Sequence, residues 1–179
     1  IPNGDLLLFY KVGPKPSEWW GMLKRSKDSG RTWSEATQLP SGILGPIKNK
    51  PILLSNGNLI SPSSTEGNGW NIHFEISTDN GLTWRKTASV DRGDNINAIQ
   101  PTILNHGKGK LQLLARTRNW AVAESWSYDF GETWSPLRKT SLPNNNSGFD
   151  AVTLNDGTHV LVYNHVLPPA DNPKRKRTP

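Results

Sequence analysis

An eight-residue phrase recurs three times along the chain: Ser26-Lys27-Asp28-Ser29-Gly30-Arg31-Thr32-Trp33, Ser77-Thr78-Asp79-Asn80-Gly81-Leu82-Thr83-Trp84 and Ser127-Tyr128-Asp129-Phe130-Gly131-Glu132-Thr133-Trp134. The pattern is S-x-D-x-G-x-T-W, and its aspartates stand 51 and 50 residues apart. A fixed period of this length means that one supersecondary unit is stacked on copies of itself, each burying its apolar face against the next. A second series is offset from the first: Asn3-Gly4, Asn56-Gly57, His106-Gly107 and Asp156-Gly157. Apolar residues flank these pairs, as in hairpins whose turns need a residue that tolerates positive φ.

Each unit therefore reads as strand, Gly turn, strand, strand, Asp phrase, strand. The expected fold is all-β, a β-propeller of four-stranded antiparallel blades. Within the phrase the Asp carboxylate accepts backbone N–H groups of its own turn, Gly takes the left-handed position, and Thr-Trp is expected to begin the outgoing strand. The spacing from Gly57 to Asp79 and from Gly107 to Asp129 is 22 residues, which projects the next phrase aspartate from Gly157 to position 179. Residues 1–179 are thus expected to form a partial propeller domain of about three and a half blades, truncated at both ends.

Composition narrows the function classes. The 34% hydrophobic content, 16 Gly and 14 Pro suit a turn-dense β protein, and no apolar run in this stretch is long enough to span a bilayer. With no cysteine, a disulfide framework, thiolate metal ligands and cysteine nucleophiles are excluded here. The four histidines (73, 106, 159, 165) show no ligand spacing, so no metal or other cofactor is expected. The net charge of +6 favours an anionic partner. Part of it comes from Lys174-Arg175-Lys176-Arg177, read as a solvated inter-strand loop. The basic residues are not interleaved with an aromatic stacking platform, so nucleic acid is not the expected partner. Asn145-Asn146-Ser147 matches a glycosylation acceptor.

The three phrases resemble Asp boxes, the signature of the sialidase-like β-propellers, also called BNR repeats. Gly45-Pro46-Ile47-Lys48-Asn49-Lys50-Pro51-Ile52, Trp70-Asn71-Ile72-His73-Phe74-Glu75 and Ala115-Arg116-Thr117-Arg118 resemble, more narrowly, a sialidase branch of that family. The resemblance implies six blades in the full chain, peripheral Asp boxes and a substrate site at the centre of the disc. Asp28, Gly30, Trp33, Asp79, Gly81, Trp84, Asp129, Gly131 and Trp134 are accordingly architectural. It also implies an acidic oligosaccharide or glycoconjugate as partner. A secreted or extracellular location is expected rather than a cytoplasmic one.

Sialidases need arginines that grip the sugar carboxylate, a tyrosine nucleophile activated by a glutamate, and an acid for the leaving group. The resemblance aligns a carboxylate-binding arginine with Arg116, and strand alternation places Arg118 on the same face. The position of the activating glutamate falls on Gln100, which cannot serve as a base. Lys48 and Lys50, before an expected inner strand from Pro51 to Leu54, can neutralise a sialate or uronate. His73 and Glu75 alternate on one strand, and Glu66 precedes it, so His73 and Glu66 are expected in acid/base roles. Asp150 is expected as a general acid or hydroxyl acceptor, and Asn164 and His165 as hydroxyl-binding groups. The expected function is exo-acting hydrolysis beside an acidic terminal sugar. The alternatives are a lyase acting beside a uronate and a glycan-binding propeller without catalysis.

Overall fold

The computed structural model describes residues 1–67 and 69–167. The basic run 174–177 lies outside these residues. The first blade holds β1 (Leu6–Val12), β2 (Trp20–Ser26) and β3 (Thr37–Gln38), in that order across the sheet. The second holds β4 (Ile52–Leu53), β5 (Leu59–Thr65), β6 (Asn71–Ser77) and β7 (Arg85–Lys86). The third holds β8 (Ala98–Asn105), β9 (Leu111–Thr117), β10 (Ala121–Ser127) and β11 (Arg138–Pro143). A hairpin of β12 (Asp150–Thr153) and β13 (His159–Val162) begins a fourth sheet. All pairings are antiparallel between sequence neighbours, as the repeat required. The expected β-propeller blades are present, and no α-helix occurs among the described residues.

The Asp phrases close the turns between the third and fourth strand positions, at the outer edge of each blade. All three are built alike. Asp28 Oδ1 accepts the Thr32 amide at 2.8 Å and its Oδ2 takes the Thr32 hydroxyl at 2.5 Å, while Ser26 Oγ receives the Gly30 amide at 2.8 Å. The same bonds recur at Asp79 with Thr83 and at Asp129 with Thr133. The hydroxyl bond from Thr32, above all, and the Thr32 amide hold the Asp28 carboxyl down to about 2; Thr83 does the same for Asp79. Burial works the other way at Asp129, yet its bonds to Thr133 still leave that carboxyl below the usual value.

The sequence placed one left-handed residue in each phrase, at Gly, and the structure has two. Ser29, Asn80 and Phe130 adopt φ near 60°, ahead of the glycines at 80–88°. Thr-Trp also belongs to the turn rather than to the outgoing strand: Trp84 Nε1 donates back to Gly81 O at 3.3 Å and Trp134 Nε1 to Gly131 O at 3.0 Å. The strand waits until the box has spent its donors.

The second and third boxes dock on the preceding blade. Trp134 stacks on the fully buried Phe74 of blade two, with ring centroids 4.2 Å apart, and Trp84 meets Phe9 of blade one edge-on at 5.7 Å. A Cβ on Gly131 would stand 2.3 Å from Ile60 Cδ1, so glycine is demanded there by close approach as well as by φ. Around Phe74 lies the main core, with Ile60, Ile72 and Ile76 of blade two against Ile103, Leu111 and Leu113 of blade three. A smaller cluster, including Leu104, Leu114, Val122 and Phe149, joins blade three to the fourth sheet.

Candidate functional site

The strand register makes the blades directly comparable. Leu6, Leu59 and Leu111 each pair with the first serine of their box (Ser26, Ser77, Ser127). Five residues on, at the opposite end of the same strand, stand Lys11, Ser64 and Arg116. That end carries the connections from one blade to the next and the loops between the middle strands, and there the repeat stops repeating.

Arg116, next to last in β9, donates from Nη1 to Asn146 O at 2.9 Å. Its guanidinium lies 5.4 Å from the ring centroid of Trp70, and that of Arg118 lies 4.2 Å from the same ring. Trp70 is only 7% exposed, so one rigid indole carries both cations. Next to it, Arg92 Nη2 donates to Asn97 Oδ1 at 2.9 Å.

Lys48 and Lys50 reach the fourth sheet across this rim. Lys48 Nζ donates to Phe149 O at 2.7 Å and to Asn49 Oδ1 at 3.0 Å. Burial lowers the Lys48 pKa; the Asp150 charge opposes this, while the charges of Arg116 and Lys50 add to it. Lys50 Nζ lies 3.1 Å from Asp150 Oδ2. Asp150 Oδ1 accepts the Thr102 hydroxyl at 2.9 Å and the Ala151 amide at 2.8 Å. Burial works to raise the Asp150 pKa, but the bonds from Thr102, Lys50 and Ala151 outweigh it and leave the carboxyl below its usual value. Asp150 is therefore an ionised acceptor at neutral pH.

Gln100 sits between these groups in an unusual backbone. Its φ is 55°, at the irregularity between Ile99 and Thr102 where β8 slips against β9. Left-handed geometry costs a non-glycine residue about 1 kcal/mol or more, so the surroundings must over-determine it. They do so through Gln100 N donating to Ser64 Oγ at 3.1 Å and through the buried Asn49, whose Nδ2 donates to the carbonyls of Gln100 and Pro101. Lys48, Trp120 and Asn146, all on the same rim, have φ of 77°, 58° and 63°.

The structure thus gathers Lys48, Lys50, Gln100, Arg116, Arg118 and Asp150, and Asn164 joins through its carbonyl, which accepts Asn144 Nδ2 at 3.3 Å. His165 is exposed and bonded to Tyr163 Oη, and Glu66 is exposed in the loop between β5 and β6. His73 is placed differently. It is 1% exposed, its Nε2 lies 3.4 Å from Glu75 Oε1, and it bonds to neither Glu66 nor Asp150. Glu75 is wholly buried and accepts the Leu44 and Gly45 amides at 2.7 and 2.6 Å, tying blade two to the connection from blade one. The pair alternates on one strand as expected, but that face is turned into a blade interface. Asn145 is likewise enclosed, at 7% exposure, which removes it as an accessible glycosylation acceptor.

Sequence reasoning noted Trp70 and Asn49 only as parts of the family-like stretches, assigned them no role, and passed over Arg92 and Lys11. No periodicity marks the first three. Lys11 had a signal, since the repeat aligns it with Arg116. Its Nζ is buried without a hydrogen bond, and burial pushes its pKa down to about 8, with the Glu75 charge working against that.

A sialidase of Paraclostridium sordellii is 29% identical to this chain over 168 residues, covering 79% of the chain; the chain spans 40% of that relative's length. In fold, the chain is similar to a Penicillium chrysogenum alpha-L-arabinanase solved with arabinobiose (TM-score 0.69, 21% identity, 91% of this chain and 54% of that one). It is also similar to the Trypanosoma rangeli sialidase solved with sialic acid (TM-score 0.62, 23% identity, 92% of this chain and 32% of that one). The model of the BNR repeat-like domain matches residues 1–178, from the first hairpin through all three boxes. With the blades, the boxes and this match in agreement, the chain belongs to the BNR repeat-like, sialidase-like family of β-propellers.

Proposed function

We propose that the protein to which these blades belong is an exo-acting glycosidase on glycans ending in an acidic sugar, a sialic acid or a uronate, bound at the irregular rim. The observation that carries this reading is the pair of guanidiniums of Arg116 and Arg118 held over Trp70, with Lys48 and Lys50 across from them. Four cations on one rim, two fixed by an aromatic ring, form a receptor for a carboxylate. The arginines bind and orient that carboxylate while the lysines neutralise it. The Gln100 amide, fixed by its strained backbone, donates to a ring hydroxyl or to the glycosidic oxygen.

Hydrolysis adds a proton to the leaving oxygen and hydroxide to the anomeric carbon. In this scheme Asp150, ionised, takes the proton from water, and Glu66, exposed in the loop between β5 and β6, gives one to the leaving group. His73, enclosed between blades, takes no proton in it and buttresses Glu75. A second reading, glycan binding without hydrolysis or elimination beside a uronate, is favoured by the glutamine at position 100 and by the low pKa of Asp150. Mass spectrometry of products from the whole protein with sialylated and uronate-terminated oligosaccharides tests the proposal. Release of a free acidic monosaccharide supports it, an unsaturated uronate points to elimination, and binding without any product contradicts hydrolysis.

A further inference from the structure

On the Asp-box rim of the third blade, a groove of about 470 Å³ is lined by Lys110, Trp126, Tyr128, Ser135, Pro136 and Arg138. It lies six residues along the strand from Arg116, about 20 Å at the rise of an extended chain. The groove is therefore separate from the rim described above.

Its aromatic residues are not required by the box. Trp126 and Tyr128 flank Ser127, and the same two positions hold Arg25 and Lys27 around Ser26 and Ile76 and Thr78 around Ser77, with box geometry unchanged. Tyr128 is 70% exposed, an aromatic surface that the fold leaves uncovered. The Trp126 ring is fixed in place: Nε1 donates to Glu124 Oε2 at 3.2 Å, and Gln112 Nε2 donates to the same oxygen at 2.6 Å. Arg138 Nε bonds the other oxygen at 2.8 Å, leaving a guanidinium side chain that is 68% exposed. The Lys110 ammonium stands 4.8 Å from the Trp126 ring centroid and 5.8 Å from that of Tyr128.

An aromatic pair with a lysine ammonium over its rings and a guanidinium in the same groove suits a ligand that is apolar on one face and anionic along its edge. A sugar ring bearing a carboxylate has that character. A proline-rich peptide would use the rings and Pro136 but leave both cations idle. Glu124 is held by Arg138, Gln112 and Trp126, and the two cations of Lys110 and Arg138 outnumber its single charge.

We propose that this groove is a second glycan-binding site, taking an acidic oligosaccharide that stacks on Trp126 and Tyr128 with its carboxylates against Lys110 and Arg138. The choice of ligand rests on the proposed function; the site itself does not. Calorimetric titration of the whole protein with an α2,8-linked sialic acid tetramer, a galacturonate hexamer and neutral maltohexaose tests it. A Trp126→Ala/Tyr128→Ala variant, placed in an Arg116→Ala background that removes the first rim, is expected to weaken binding of an acidic oligosaccharide at least tenfold. Rising salt should weaken the remaining site in the parent background, as for a charged ligand. Equal affinity with and without the two rings overturns the proposal, as does maltohexaose binding as tightly as the acidic probes or a proline-rich peptide displacing them. If Arg116→Ala leaves acidic-glycan binding intact while the ring variant abolishes it, the groove stands and the assignment of the first rim falls.

Discussion

The two rims of the blades obey different rules. On one, three Asp boxes repeat the same hydrogen bonds to within a few tenths of an ångström and lower each box carboxyl by the same means. On the other, equivalent positions hold a buried lysine, a serine that orders the next blade's backbone, and an arginine stacked on tryptophan. Identical blades are what stacking requires, so what repeats reports on packing. Positions that differ between otherwise identical blades are free of that requirement, and chemistry can settle there. The conspicuous aspartates hold the turns, and the proposed substrate site lies on the quieter rim.

The contrast can be broken most severely through the docking tryptophans. Trp134→Ala removes the ring stacked on Phe74 and should cost about 3–5 kcal/mol of stability by denaturant unfolding, as for a truncated packed aromatic. A stable but inactive variant would contradict the structural assignment of that rim. Gly131→Ala sets a methyl against Ile60 at a left-handed φ and should cost about 1–3 kcal/mol, read the same way. Arg116→Ala is the opposite probe: affinity for an acidic sugar should fall by about 1.5–3 kcal/mol, the worth of a charged hydrogen bond, with stability nearly unchanged.

Smaller effects follow from titration. The box carboxyls are depressed in the folded state, so their stabilisation is complete above the unfolded value near 3.8 and is lost as pH falls towards about 2. Asp79→Asn should flatten the acid limb of a stability profile. Lys11 behaves inversely to a paired lysine. Folded it releases its proton near pH 8, unfolded near 10.5, so between those values the unfolded chain binds more protons and stability rises with pH. Lys11→Met should abolish that rise and raise the melting temperature at neutral pH.

Much of the repeated half was legible in the sequence, because each blade must solve one packing problem and so uses the same residues each time. The period and the strand order followed from it, while the peripheral place of Asp28, Asp79 and Asp129 came from the resemblance to Asp boxes. What escaped was irregular. Gln100 was visible as a residue type, but its left-handed backbone arises from Ser64 and Asn49, far away in sequence. Trp70 carries two arginines through tertiary contact alone. His73 and Glu75 were correctly placed on one strand face, yet which interface that face meets depends on blade order. Alternation determines that two side chains point the same way and leaves open whether water or another blade lies there.

The most direct test measures affinity for an acidic monosaccharide and thermal stability together on Arg116→Ala in the whole protein. The account predicts affinity lowered about 10- to 150-fold, following from the energy above, with the melting temperature held. Unchanged affinity with a marked loss of stability would place Arg116 among the packing residues and contradict the division between the two rims.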